Sequence, residues 1–264
     1  MTKILISGAS IAAGAGLPDG KTNSELFVNR LATQVLGYDQ KSIDNISDIG
    51  ADNKHIFLET AIAISKFNYS HVLVQWQSIP RINMHLGLET WPTRVPILST
   101  QAQCHNIDLV GGQQVPGKKI IEISNFLLQY SNLHWEILDL IRYINLLVAQ
   151  VKSTKTQLYF INYYMPWEHY RYFNCFDWNT PSELDMFTQF LLESDVRSDV
   201  DSKKIYQMMH DQYQNAGGSQ ESYWLNLYNP LNNLKVDQAS PQDKHPGIKS
   251  QQLFFDQLAP LLAH

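Results

Sequence analysis

Residues Ile4 to Gly16, ILISGASIAAGAG, constrain this chain more than any other stretch. Lys3 to Ser7 reads as a short strand buried on both faces, because an apolar run with β-branched residues stops at a glycine. Gly8 then turns the chain. The small residues Ala9, Ser10, Ala12, Ala13, Gly14 and Gly16 let backbone come close to whatever lies at the strand's carboxyl end, where open parallel sheets place their ligands. Three readings of the turn compete. As a phosphate cradle it fails the dinucleotide pattern G-x-G-x-x-G and lacks the Gly-Lys-Ser/Thr of a P-loop. As plain structure it is a buried first strand with a tight turn. As a nucleophile turn it presents Ser10, and then requires a histidine and an acid from elsewhere.

The other end of the chain supplies both. Gln242-Asp243-Lys244-His245-Pro246-Gly247 follows a polar stretch and precedes an amphipathic segment, Ile248 to Leu262, so His245 sits on a loop just before a helix. Asp243 lies two residues earlier, on the same side of an extended loop, from where its carboxylate can hold one imidazole tautomer. A histidine before proline is also an ordinary solvated loop residue, and that reading stands beside the catalytic one.

Together these residues resemble the SGNH, or GDSL-like, hydrolases. Gly8-Ala9-Ser10 with Gly14 is similar to that family's first block, and Asp243 with His245-Pro246 to its last. Asn45-Ile46-Ser47-Asp48-Ile49-Gly50-Ala51-Asp52-Asn53 resembles the second block, and His71 to Ser78 falls where the third block's strand and turn belong. The chain departs from the pattern in three places. Ala9 stands where the family has Asp, the third block lacks its Asn, and Asp243 is one residue nearer the histidine, with Gln242 at the usual position. The combination of Gln75-Trp76 with Lys244-His245-Pro246-Gly247 resembles divergent SGNH-like proteins of marine bacteria and their phages.

The resemblance implies a serine esterase acting on a small ester, an O-acetyl group on a carbohydrate. Ser10 would be the nucleophile, His245 the base and Asp243 its orienting acid. The N–H groups of Ser10 and Gly50 would form the oxyanion hole, with Ser78 or Gln77 in place of the missing Asn. Arg81 and Trp76, with Trp91 nearby, are the substrate-binding candidates. Two other functions remain open: a non-catalytic binding or virion structural protein that keeps the fold, and a sugar O-acyltransferase using the same serine.

Composition narrows the partners. At 264 residues with 44% hydrophobic side chains, the chain can bury one large α/β core. With 20 Lys and Arg against 25 Asp and Glu, the formal charge of -5 offers no basic field for nucleic acid or an anionic membrane. The two cysteines, Cys104 and Cys175, make neither a disulfide framework nor a metal motif. No metal and no cofactor is expected. Met1-Thr2-Lys3 leads straight into the first strand without a secretion signal, which points to the cytoplasm, or to a virion if the gene is a phage's. No run of about 18 apolar residues is present to span a bilayer.

Between the two ends the pattern alternates. Asn23 or Ser24 is expected to cap a helix through Leu26, Phe27, Leu31, Val35 and Leu36, ended by Gly37. Ser42 to Ile46 is a second strand, Asp52 or Asn53 caps a helix to about Lys66, and Val72 to Trp76 is a third strand. Such β-α-β-α-β alternation predicts a parallel sheet. Ser131 to Val151 carries an apolar helical stripe, Gln157 to Asn162 reads as a strand, and Tyr223 to Leu227 as a short further one. Helices are expected at about 182–193 and 202–214. Residues 163–178 hold a dense aromatic cluster with His169 and Asp177 beside it; the rings suit either packing or stacking on a sugar. The predicted fold is a single three-layer α/β/α domain spanning 1–264, flavodoxin-like in arrangement. It has about five parallel strands, and insertions at 80–130 and 163–215 form a cap.

Overall fold

The computed structural model describes residues 3–77, 82–86, 93–97, 107–108, 114–115, 133–163, 225–226, 230–241, 243 and 245–263. Four parallel strands form the central sheet: β1 (Lys3–Ser7), β2 (Ile43–Asn45), β3 (Tyr69–Trp76) and the strand Gln157–Asn162, in the order β2-β1-β3 followed by that last strand. Between β3 and the last strand two antiparallel pairs intervene. They are β4 (Ile82–Leu86) with β5 (Thr93–Ile97), and β6 (Ile107–Asp108) with β7 (Gln114–Val115). Gln157–Asn162 is therefore β8. The register pairs Ile6 with both Asn45 and Leu73, and Trp76 with Asn162, so the carboxyl ends of all four strands emerge at one edge.

Strand alternation sends successive side chains to opposite faces, and two apolar layers result. One face carries Leu5, Val72, Val74, Trp76, Leu158 and Phe160. It is covered by α2 (Asn53–Lys66) through Ile56 and by α3 (Leu133–Val151) through Leu140, Ile144, Leu147 and Val151. The other face carries Ile4, Ile6, Leu73 and Ile161 beneath α1 (Phe27–Arg30) and α4 (Ile248–Leu262), where Phe27 meets Phe254 edge-on at 5.7 Å. Three layers are thus present, as expected.

The sheet has four strands among the described residues rather than about five. Of the strand expected at Tyr223–Leu227, only Leu225 and Asn226 are among the described residues, and both bond to the β8 edge. Leu225 N–H donates to the Phe160 carbonyl at 3.0 Å. The Asn226 side chain then accepts from Asn162 N–H and donates to Asn162 C=O, both at 2.8 Å, as a neighbouring strand's backbone would.

Caps explain the helix limits. The Asp52 carboxylate accepts from His55 N–H at 2.7 Å, so α2 begins where its sequence placed it. The first helix starts later than expected, at Phe27. Asn23 instead accepts from Glu25 N–H and closes a turn of its own, while Gln251 Oε1 accepts from Phe27 N–H at 3.2 Å across the domain. From Leu31 to Val35 the helix widens into a π turn and closes at Gly37, whose φ of 71° suits a residue without Cβ. The expected helices at 182–193 and 202–214, the cysteines, and the aromatic cluster beyond Tyr163 lie outside the described residues. So does most of the two proposed cap insertions.

Candidate active site

The Gly-rich turn leaves β1 at the sheet's carboxyl edge and coils at once. Ala13 N–H donates to Ala9 C=O, and Ala15 N–H to Ser10 C=O, each at 2.9 Å. Ser10 therefore stands in the first turn of a short coil, with 5% of its surface exposed. The segment after β2 is tied alongside: Asp48 N–H donates to Gly8 C=O at 3.0 Å, and Asn45 Nδ2 to Ala12 C=O at 3.0 Å. This brings Gly50, two residues beyond Asp48, to the same edge as Ser10. Gly50 has φ 86°, a left-handed conformation that glycine adopts without strain.

The loop from Asp237 to Gly247 is a closed hairpin-like turn. Ala239 N–H donates to His245 C=O at 2.8 Å, and Gln238 pairs with Pro246. Within it His245 Nδ1 lies 2.6 Å from Asp243 Oδ1, and the same oxygen accepts from His245 N–H at 2.9 Å. The His245 backbone N–H is the main influence holding the Asp243 carboxyl below the usual range. Burial opposes it, and the imidazole bond and the charges of His245 and Lys235 add to it. An ionised carboxylate only accepts, so an imidazole proton sits on Nδ1, and in the neutral tautomer that fits this bond the lone pair is on Nε2.

This loop docks on the first turn. A Cβ built on Gly16 would lie 2.5 Å from Asp243 Oδ2 and 2.6 Å from Ala239 Cβ, so only glycine lets the two segments close. The turn that carries Ser10 and the loop that carries His245, more than 220 residues apart in sequence, thus meet at the carboxyl edge. Among the described residues no hydrogen bond joins Ser10 to His245.

Gln77 begins the chain's exit from β3. Asn53 clamps it, accepting from Gln77 N–H at 2.9 Å and donating to Gln77 C=O at 3.1 Å. Its side-chain Nε2 is buried and has no hydrogen-bond partner among the described residues, a donor whose burial is costly unless something accepts from it. Trp76 is only 1% exposed and packs on Phe160 at 5.7 Å between centroids, so its ring belongs to the core. Ser78, Arg81 and Trp91 lie outside the described residues, as do Gln242, Lys244, His169 and Asp177.

Asp237, at the start of the same loop, is tied to the helix that follows it. It accepts from Lys249 N–H at 3.0 Å and from Ser250 N–H at 2.8 Å, and also from the Ser250 hydroxyl. It thereby caps α4 from ten residues before the helix's own N-cap, Gly247. The signal was present as a helix start without a capping side chain at Gly247, but no local spacing says which distant acid fills the role.

Among the described residues no cluster of three or more His, Cys, Asp or Glu side chains is arranged to hold a metal ion. Nor is any helix there long and apolar enough to cross a membrane.

What fold and site define together is an α/β protein with an open parallel sheet and flanking helices. Among solved structures the chain is similar to a protein of the G-D-S-L family from Desulfitobacterium hafniense described as lipolytic, at 9% identity over 99% of both chains and a TM-score of 0.47. It is also similar to TesA, at 10% identity over 99% of this chain and 98% of that one, TM-score 0.48. A third is the psychrotrophic esterase EstA from Pseudoalteromonas, at 11% identity over 99% and 97%, TM-score 0.45. No family model matches the chain, and no curated protein matches it in sequence.

Proposed function

We propose that this protein is a serine esterase of SGNH type that hydrolyses a small ester, an O-acetyl group on a carbohydrate. The observation that supports it most is the Asp243–His245 pair, 2.6 Å apart and seated through Gly16 against the turn that carries Ser10. In this reading Ser10 Oγ attacks the ester carbonyl while His245 Nε2 takes its proton. The charge that develops on the imidazole is balanced by Asp243. The carbonyl oxygen, now an oxyanion, is met by the N–H groups of Ser10 and Gly50, with the unpaired Gln77 amide as the third donor. Collapse expels the alcohol, which takes the proton back from His245. Water then repeats the sequence on the acyl-serine, releasing acetate.

The Ser-His hydrogen bonds of such sites tighten when substrate arrives, so the reading does not require one between Ser10 and His245 in the unliganded protein. The test is labelling by a fluorophosphonate, together with acetate release from 4-nitrophenyl acetate and from an acetylated xylo-oligosaccharide. Ser10→Ala is expected to abolish both while leaving the circular dichroism spectrum unchanged. Undiminished labelling in that variant would remove Ser10 from the mechanism. Equal turnover of the aryl ester and the sugar ester would remove the carbohydrate from it.

A further inference from the structure

Gln75 breaks the apolar run of β3, Val72-Leu73-Val74-Gln75-Trp76, and is 1% exposed. It lies on the face that carries Leu73 and, one strand over, pairs in register with Ile161, so its position calls for an apolar side chain. A buried amide is costly unless its polar atoms are bonded, and both of these are. Oε1 accepts from Ala9 N–H at 3.2 Å, and Nε2 donates to Trp76 C=O at 2.6 Å. The assignment of the two atoms follows from chemistry, since a backbone N–H only donates and a carbonyl only accepts. Gly8 makes room for this side chain. A Cβ there would come within 2.9 Å of Gln75 Cβ and 3.1 Å of its Oε1, as well as 2.9 Å from Ala12 Cβ.

We infer that Gln75 is the positioning residue of the nucleophile turn, a role that rests on the esterase reading above. Its amide anchors the Gly8–Ala9 peptide, one peptide before that of the Ser10 N–H, to the neighbouring strand. The Ser10 N–H and Oγ are thereby held at fixed angles to the oxyanion and to the carbonyl carbon. Because the same amide also ties down Trp76 C=O, it links the turn after β1 to the exit of β3, where Gln77 begins. A single neutral side chain therefore sets the distance between two of the three proposed oxyanion donors. A glutamate at this depth would stay protonated by desolvation, and so would keep both bonds. Leucine fills the volume and keeps neither.

The experiment compares wild type, Gln75→Leu and Gln75→Glu in rate of Ser10 labelling by a fluorophosphonate and in steady-state hydrolysis of 4-nitrophenyl acetate. Measurements are made at a temperature where thermal melts show each variant folded. Gln75→Leu is expected to lower the labelling rate and kcat about 10- to 100-fold with KM within about twofold, the pattern of an interaction used in the transition state. Gln75→Glu is expected to recover most of the loss. Hydrogen exchange at Ala9 N–H should accelerate in the leucine variant and not in the glutamate variant. Labelling of Gln75→Leu at the wild-type rate, or a change confined to KM, overturns the positioning role and leaves the esterase reading intact. Wild-type protein that is not labelled at Ser10 overturns the esterase reading itself, and this role with it. If Gln75→Leu does not fold, the glutamate variant decides: a 10-fold or greater loss of kcat with Ala9 protected shows that the bond does not set the rate.

Discussion

Replacing Asp237 with alanine removes the anchor of the loop that carries Asp243 and His245, and the size of the effect follows from its bonds. The carboxylate accepts from two backbone N–H groups, Lys249 at 3.0 Å and Ser250 at 2.8 Å, and from the Ser250 hydroxyl. Loss of a helix N-cap costs about 0.5–2 kcal/mol, and hydrogen bonds to a charged acceptor are worth about 1.5–3 kcal/mol each before water replaces them. Lys249 is exposed and regains water, whereas Ser250 is fully buried and does not. A total near 2–3 kcal/mol is expected, a fall in melting temperature of roughly 4–10 °C for a chain of this size.

The pH dependence is a second constraint on the same argument. Burial raises the pKa of Asp237, but the bonds from Ser250 and Lys249 and the Lys249 charge outweigh it, leaving the group below its usual 3.8. A depressed carboxyl pKa stabilises the fold above the unfolded value, and that stabilisation is lost as pH falls through the folded value. The gap between wild type and Asp237→Asn, read by urea unfolding, should therefore be constant from pH 7 to about 5 and shrink below about pH 4. A gap under about 0.5 kcal/mol between wild type and the alanine variant at pH 7 would refute the capping argument, given the cap magnitudes above. So would a gap that widens on acidification.

Asp243→Asn is expected to lower kcat about 10²- to 10⁴-fold with little change in melting temperature, because the imidazole loses its tautomer partner while the loop stays closed. Asp237→Asn should lower kcat far less, and steady-state kinetics on 4-nitrophenyl acetate separate the two. Wild-type activity should show no loss from Asp243 protonation between pH 9 and about 5, since that carboxyl is held below the usual range. Gly16→Ala forces a Cβ to within 2.5 Å of Asp243 Oδ2 at a backbone φ of 80°, so the histidine loop must move away from the turn that carries Ser10. A drop of about 1–3 kcal/mol in stability and loss of fluorophosphonate labelling are expected together, by calorimetry and gel readout.

The elements most legible in the sequence were those whose signals are local. An apolar run ending at Gly8 marked β1, and Asp52 before a helical pattern marked the start of α2. The run Val72 to Trp76 marked most of β3, and the alternation of these pieces implied a parallel sheet. Strands and caps of this kind are decided within a few residues by side-chain period and by one hydrogen bond, so the chain carries them on its face. The pairing of Asp243 with His245 is of the same sort, two residues apart on one loop.

What needed the tertiary structure were the interactions that join distant segments. That Gly16 is glycine because Asp243 and Ala239 press against it cannot be read from ILISGASIAAGAG, where it looks like one more small residue. That Asp237 caps α4 depends on how the loop folds back on itself. That Trp76 faces the core depends on which side of β3 is covered by α2 and α3. At the sheet's edge, the bonds of Leu225 and Asn226 to β8, one from a backbone group and two through an amide side chain, likewise join segments more than 60 residues apart. A sequence records the preferences of each residue for its neighbours along the chain. Which polar group satisfies which buried donor is settled only when burial removes water as the alternative partner, and that happens across the fold rather than along it.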